Sequence, residues 1–106
     1  MIDCLCLVQE GQGPDRQRTA LAGALDAFAR EQFGVGLQAR WVPVAPGYGF
    51  TAGAPSSSSV VSLAAPEPLT QDRREAALRA LVALWTEHTG CSVDEIVAVV
   101  ADPVTH

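Results

Sequence analysis

The chain has 106 residues, 48% of them hydrophobic and 18% charged, and carries a net charge of −5. That length suits one small domain with its own core, one that gains from assembly with further copies. All seven basic residues are arginines without a cluster that could neutralise phosphates, so nucleic-acid binding is set aside, and the absence of lysine removes side-chain Schiff-base chemistry.

Ile2 to Val8 is apolar except for Asp3, which predicts a strand covered on both faces in a sheet with parallel pairing. Cys4 and Cys6 point the same way on it. Together with Cys91 they make no disulfide framework, and all three read as small buried residues of a reducing cytoplasm. Gly11-Gln12-Gly13-Pro14 forms a turn, with Pro14 suited to the first helical position. A helix then runs from Asp15 to Phe33, with Leu21, Ala24, Leu25 and Phe28 as its apolar stripe and Gly34 as its left-handed cap. Leu37 to Val44 is a second strand, ended by Pro43 and Pro46.

Ala45 to Ser59 is rich in Gly, Pro and Ser and contains Gly47-Tyr48-Gly49-Phe50-Thr51-Ala52-Gly53. A structureless linker of that length is uncommon in a compact domain, and the alternation predicts a short hairpin with Tyr48 and Phe50 on one face. Val60 to Ala65 is the next strand. A helix follows with Thr70 as N-cap, Leu78, Leu81, Val82 and Trp85 as buried stripe, and Gly90 as C-cap, before a last strand from Ile96 to Ala101.

The halves repeat. Glu10, Asp15, Arg16, Ala20, Leu21 and Phe28 recur, at one constant offset, as Glu67, Asp72, Arg73, Ala77, Leu78 and Trp85. The chain therefore reads as a single domain of two tandem β-α-β units, residues 1–44 and 60–106, joined by a hairpin or linker over 45–59. The expected class is α/β: a four-stranded mixed sheet covered by two helices. No basic stretch leads into an apolar run and no run approaches membrane-spanning length, so the expectation is a cytoplasmic protein without a membrane partner.

Glu10-Gly11 after the first strand, Arg40 in the second, the segment Gly47 to Gly53, the helix start Leu69-Thr70-Gln71-Asp72-Arg73-Arg74 and the stretch Gly90 to Val100 together resemble the tautomerase superfamily. The first half is similar to 4-oxalocrotonate tautomerase. The double-unit layout resembles the malonate semialdehyde decarboxylase and macrophage migration inhibitory factor branches. The resemblance implies a homotrimer with active sites beside each N-terminus, between adjacent subunits, and no cofactor.

It also implies an N-terminal proline, whose place is taken here by Ile2. Met1 is expected to remain, and its primary amine, which ordinarily titrates around 7.7–8.0, is a candidate base. An ordinary solvated terminus is the competing reading. Gln12 stands where the family has a carboxylate-holding arginine and supplies a hydrogen bond without charge. Arg40 matches a family arginine that binds the oxygen-bearing end of the substrate. Because it sits among Trp41, Val42 and Val44, it is expected to need an anionic partner, either a substrate carboxylate or an acidic residue of a neighbouring subunit. Phe50 matches a pocket aromatic, Tyr48 is a candidate proton donor, Asp3 a candidate pocket acid and Ile2 an apolar wall.

Elsewhere the sequence offers little chemistry. Arg73 and Arg74 read as a solvated helix face and His88 as a surface histidine. No metal-ligand spacing surrounds His88, Ser56 to Ser59 carries no nucleophile elbow, and Gly11 and Gly13 continue no phosphate-binding pattern. Two functions follow. One is an atypical tautomerase-like isomerase or lyase that moves a proton on a small anionic carbonyl or enol compound without proline. The other is a non-catalytic trimer that binds a small molecule or partner on the same fold.

Overall fold

A computed structural model of the protein describes residues 1–103. Its elements are β1 (Ile2–Gln9), a one-turn helix α1 (Gly13–Arg16), α2 (Arg18–Phe33), β2 (Leu37–Val44), a hairpin of β3 (Phe50–Thr51) and β4 (Ala54–Pro55), β5 (Ser59–Ala64), α3 (Gln71–Thr89), a 3₁₀ turn at Val93–Glu95, and β6 (Ile96–Ala101). The main sheet has the order β2-β1-β5-β6. Its outer pairs are parallel, Ile2 beside Leu37 and Ser59 beside Ile96, while the central strands β1 and β5 run antiparallel with Cys6 opposite Val61. Each half thus contributes one parallel pair with a helical crossover, and the mixed sheet is two such units back to back.

Strand pleating decides what is covered. Ile2, Cys4, Cys6 and Val8 face the helices with Leu37, Val61, Leu63, Ile96 and Val100, and these pack against Leu21, Leu25, Phe28, Ala77, Leu81 and Trp85 in one buried core. Burying such a side chain contributes about 1.5–3 kcal/mol, so this face holds the domain together. The opposite face bears Asp3, Leu5, Leu7, Arg40, Val42, Val60, Val97 and Val99 and has no helix over it; Leu5, Leu7 and Val60 are half-buried, and Val42, Val97 and Val99 are exposed. Within one protomer the helices cover only one face of the sheet.

The helix ends follow local chemistry. Gly34 and Gly90 take φ of +72° and +73°, the left-handed region that costs a side chain but not glycine, and their N–H groups donate to Arg30 and Thr86 carbonyls. The Thr70 hydroxyl accepts from the Arg73 N–H at 3.2 Å. Other expectations shift. The predicted helix from Asp15 breaks at Gln17, because Pro14 starts a single tight turn that closes with Gln17 N–H on the Pro14 carbonyl. Pro43 does not end β2 but lies within it, as a sheet-edge strand permits. The buried stripe of α3 centres on Ala77, Leu81 and Trp85, and Leu78 and Val82 lean over the edge of the sheet beside Ala98.

Candidate functional site

The parallel register of β1 and β2 places the residues singled out in the sequence at two ends of the sheet. Met1 and Asp3 stand exposed at the start of β1, and Arg40 extends from the open face beside Leu5. Gln12, Tyr48 and Phe50 lie past the far ends of β1 and β2, all exposed. From Asp3 to Gln9 an extended strand runs about 20 Å, so Met1 and Asp3 do not meet Gln12 within one protomer, and Arg40 stands between the two ends.

Several side chains are placed otherwise than expected. Ile2 is buried against the helices and does not line an open wall. Arg40 is exposed and has no ion pair among the described residues; on a sheet-edge strand its guanidinium reaches water, so it needs no partner inside the protomer. Tyr48 belongs to the turn before the hairpin, its N–H on the Ala45 carbonyl, and is not part of β3. Arg74 is half-buried and paired with Asp102, and the Arg73 guanidinium donates to the Gln32 carbonyl at 2.7 Å; both brace helix ends instead of standing free in solvent. His88 is exposed, with Nδ1 at 2.8 Å from the Leu84 carbonyl.

A cleft opens at the Gln12 end. One lobe of about 210 Å³ is lined by Gln9, Glu10, Gln12, Gly47, Ser56 and Ser57 among others. A second lobe of about 420 Å³ lies under the hairpin, walled by Leu7, Val44, Phe50, Thr51, Val60 and Val97. Gln9 and Ser56 line both. The hairpin turns at Ala52-Gly53, both with positive φ, the primed two-residue turn whose twist suits adjacent strands. It is held back to the sheet by Ser56 N–H on the Gly49 carbonyl, and its hydroxyls join as Thr51 Oγ1 to Ser56 Oγ at 2.5 Å.

The β1–α1 turn that carries Gln12 is braced from behind. Asp15 accepts from the Gly11 N–H at 2.8 Å and from Arg18, and these contacts hold its carboxyl below the usual carboxylate range. The Arg18 guanidinium sits 5.9 Å over Trp41, which stacks on Trp85 at 6.4 Å and 26°. A continuous ladder therefore runs from the core to the cleft rim. Cys4 and Cys6 lie fully buried with sulfurs 3.8 Å apart; the hydrogen shared with Cys4, together with burial, pushes the Cys6 thiol up. Among the described residues no three His, Cys, Asp or Glu side chains gather as a metal ion would require.

Sequence reasoning passed over Gln9, Thr51 and Ser58 as cleft residues. The one available signal was polarity at Gln9, the residue that ends the apolar run of β1.

No family model and no curated protein matches the sequence. Solved structures do match. The crystal structure of native Ps01740 superposes with a TM-score of 0.85 at 24% identity, over 95% of this chain and 93% of that one. A symmetric trimer of wild-type fused 4-OT gives 0.82 at 19% identity, over 95% and 85%. Pt0534 inactivated by 2-oxo-3-pentynoate also gives 0.82, at 18% identity, over 95% and 85%. The chain has the tautomerase-superfamily fold. In a tautomerase fold built from this sequence, Ile2 follows Met1 where the resemblance implies proline, and no arginine lines the cleft at the end of β1. No helix among the described residues is long and apolar enough to cross a membrane.

Proposed function

We propose that this protein is an atypical tautomerase-type enzyme that moves a proton on a small anionic carbonyl or enol compound, at a site assembled between copies in a homotrimer. The observation that carries this reading is the open sheet face, which presents Arg40 among apolar side chains with no ion pair among the described residues. Covering Leu5, Val42 and Val99 with neighbouring copies favours assembly, and the outer edges of β2 and β6 are unpaired within the protomer. The symmetric trimer of fused 4-OT supports the same stoichiometry.

In the assembled site the Arg40 guanidinium of one protomer holds a carboxylate or a developing enolate, in surroundings dry enough to make that charge count. Tyr48 from the next protomer carries the proton, with the Met1 amine and Asp3 as further ionisable groups at the other end. Leu5 and Phe50 exclude water. The inactivation of Pt0534 by 2-oxo-3-pentynoate supports a 2-oxo acid as the substrate class. Loss of proline leaves no secondary amine at position 2, so the chemistry rests on acid–base transfer.

The test is exchange of the proton beside the carbonyl of small 2-oxo acids in D₂O, followed by NMR. The native protein should accelerate exchange, and Arg40→Gln should abolish that acceleration while leaving the fold intact. Equal rates with and without protein across the 2-oxo acids would instead support the non-catalytic binding protein, the reading favoured by an uncharged Gln12.

A further inference from the structure

The repeat gives the N-terminal position an internal counterpart. The offset that relates the halves carries Met1 onto Ser58 and Ile2 onto Ser59, and Ile2 and Ser59 each begin a strand paired in parallel with its own neighbour. Because β1 and β5 are antiparallel, the start of β5 lies beside the end of β1. The two related positions are furnished differently. Near the Met1 end, the Leu69 N–H, Arg74 and Asp102 are tied to one another. At the Ser58 end the two-lobed cleft stands open.

We propose that this internal cleft is a ligand site complete within one protomer, and that it takes an uncharged molecule with a hydrogen-bonding head and an apolar body. Gln9 is only 8% exposed; its amide nitrogen donates to the Ser58 carbonyl at 3.2 Å, and its amide oxygen has no protein partner among the described residues. That oxygen is not buried, so water satisfies it until a ligand donor takes the water's place. Gln12 makes no capping bond to α1, so its amide is available at the same lobe.

Charge selects the class. No arginine lines either lobe, Glu10 lines one, and the Glu95 carboxylate beside Ser57 is held below its usual range by the Ser92 N–H and the Ser57 hydroxyl, so it stays ionised. An anion there would lose water with no cation to replace it. A cation would gain little, because Glu10 is exposed and solvated. The larger lobe supplies Leu7, Val44 and Val60 for the apolar body. This site is independent of proton transfer at Arg40, since binding needs neither a second protomer nor a reaction.

Three unreactive probes of one shape and different charge decide it: benzamide, benzoate and benzamidinium, titrated against ¹⁵N-labelled protein. Benzamide should shift the Gln9 and Gln12 side-chain amides and the Ser56 to Ser58 backbone amides saturably, about tenfold more tightly than either charged probe. Gln12→Arg, an exposed substitution, should reverse the order in favour of benzoate. Gln9→Met, which keeps buried volume, should weaken benzamide and leave the hairpin resonances in place. Tighter binding of benzoate or benzamidinium to the native protein, shifts confined to the Met1 and Arg40 end, or no saturable shift with any probe would each overturn the proposal. The proton-exchange assay is read separately, so either idea can fail alone.

Discussion

Val99→Asp probes the open face without touching the cleft. Val99 lies on β6, points away from the helices and is 40% exposed in the protomer. Burying the exposed part of that valine against a neighbouring copy contributes about 1 kcal/mol. A carboxylate at the same place would lose its water, and Arg40 lies three strands away across its own sheet, so the cost is about 3 kcal/mol or more. The swing is about 4 kcal/mol per protomer, or about a thousandfold in association. The folded protomer should hardly notice, because an exposed strand position away from packing changes stability by about 0.5 kcal/mol at most. Light scattering across a concentration series should show the native protein at three times the 11.1 kDa chain mass and Val99→Asp as a folded monomer. A native monomer, or a Val99→Asp variant as trimeric as the native protein, would refute the reasoning.

Other consequences are local. Ala52 has φ of +52° at the hairpin turn, so Ala52→Gly should raise stability in urea unfolding by about 1 kcal/mol. Of the three thiols, half-buried Cys91 should react quickly with an aromatic disulfide reagent, while Cys4 and Cys6, both in the core, should react only as the protein unfolds. Asp15, Asp26 and Asp102 have carboxyls held below their usual range, each first by a backbone N–H and then by an arginine. Their folded values lie below the unfolded ones, so their contribution is fully present above about pH 4 and is lost as pH falls through the lowered folded values. Melting temperature should drop on acidification below that point, and Asp26→Asn, which weakens the carboxyl's hold on the Leu37 N–H, should flatten the drop.

Much of the fold was legible because its signals are local. Gly34 and Gly90 mark helix ends through backbone freedom alone, Thr70 caps through its own hydroxyl, and β2 and β6 have the limits their apolar runs imply. The break at Gln17 was not legible, since Pro14 suits the start of a long helix as well as the single turn that closes on the Gln17 N–H. Nor was the rotation of α3: helical spacing defines a stripe, but the sheet edge decides that Ala77 is covered and Leu78 only partly. Arg40 shows the same limit. Its apolar neighbours in sequence suggested burial, yet pleating sends Trp41 inward and Arg40 to the open side. The separation of Met1 from Tyr48 follows from the parallel register of β1 and β2, a long-range fact absent from either segment alone.

The measurement that tests the account most directly is complementation between two inactive proteins. Arg40→Gln and Tyr48→Phe should each lack proton exchange on a 2-oxo acid that the native protein turns over. When the two are unfolded together in equal amounts and refolded, about a quarter of the interprotomer sites should pair a native Arg40 with a native Tyr48 by random assortment around a ring. Exchange should then return to about that fraction of the native rate. No recovery from the mixture, or full activity in either variant alone, would contradict a site shared between protomers.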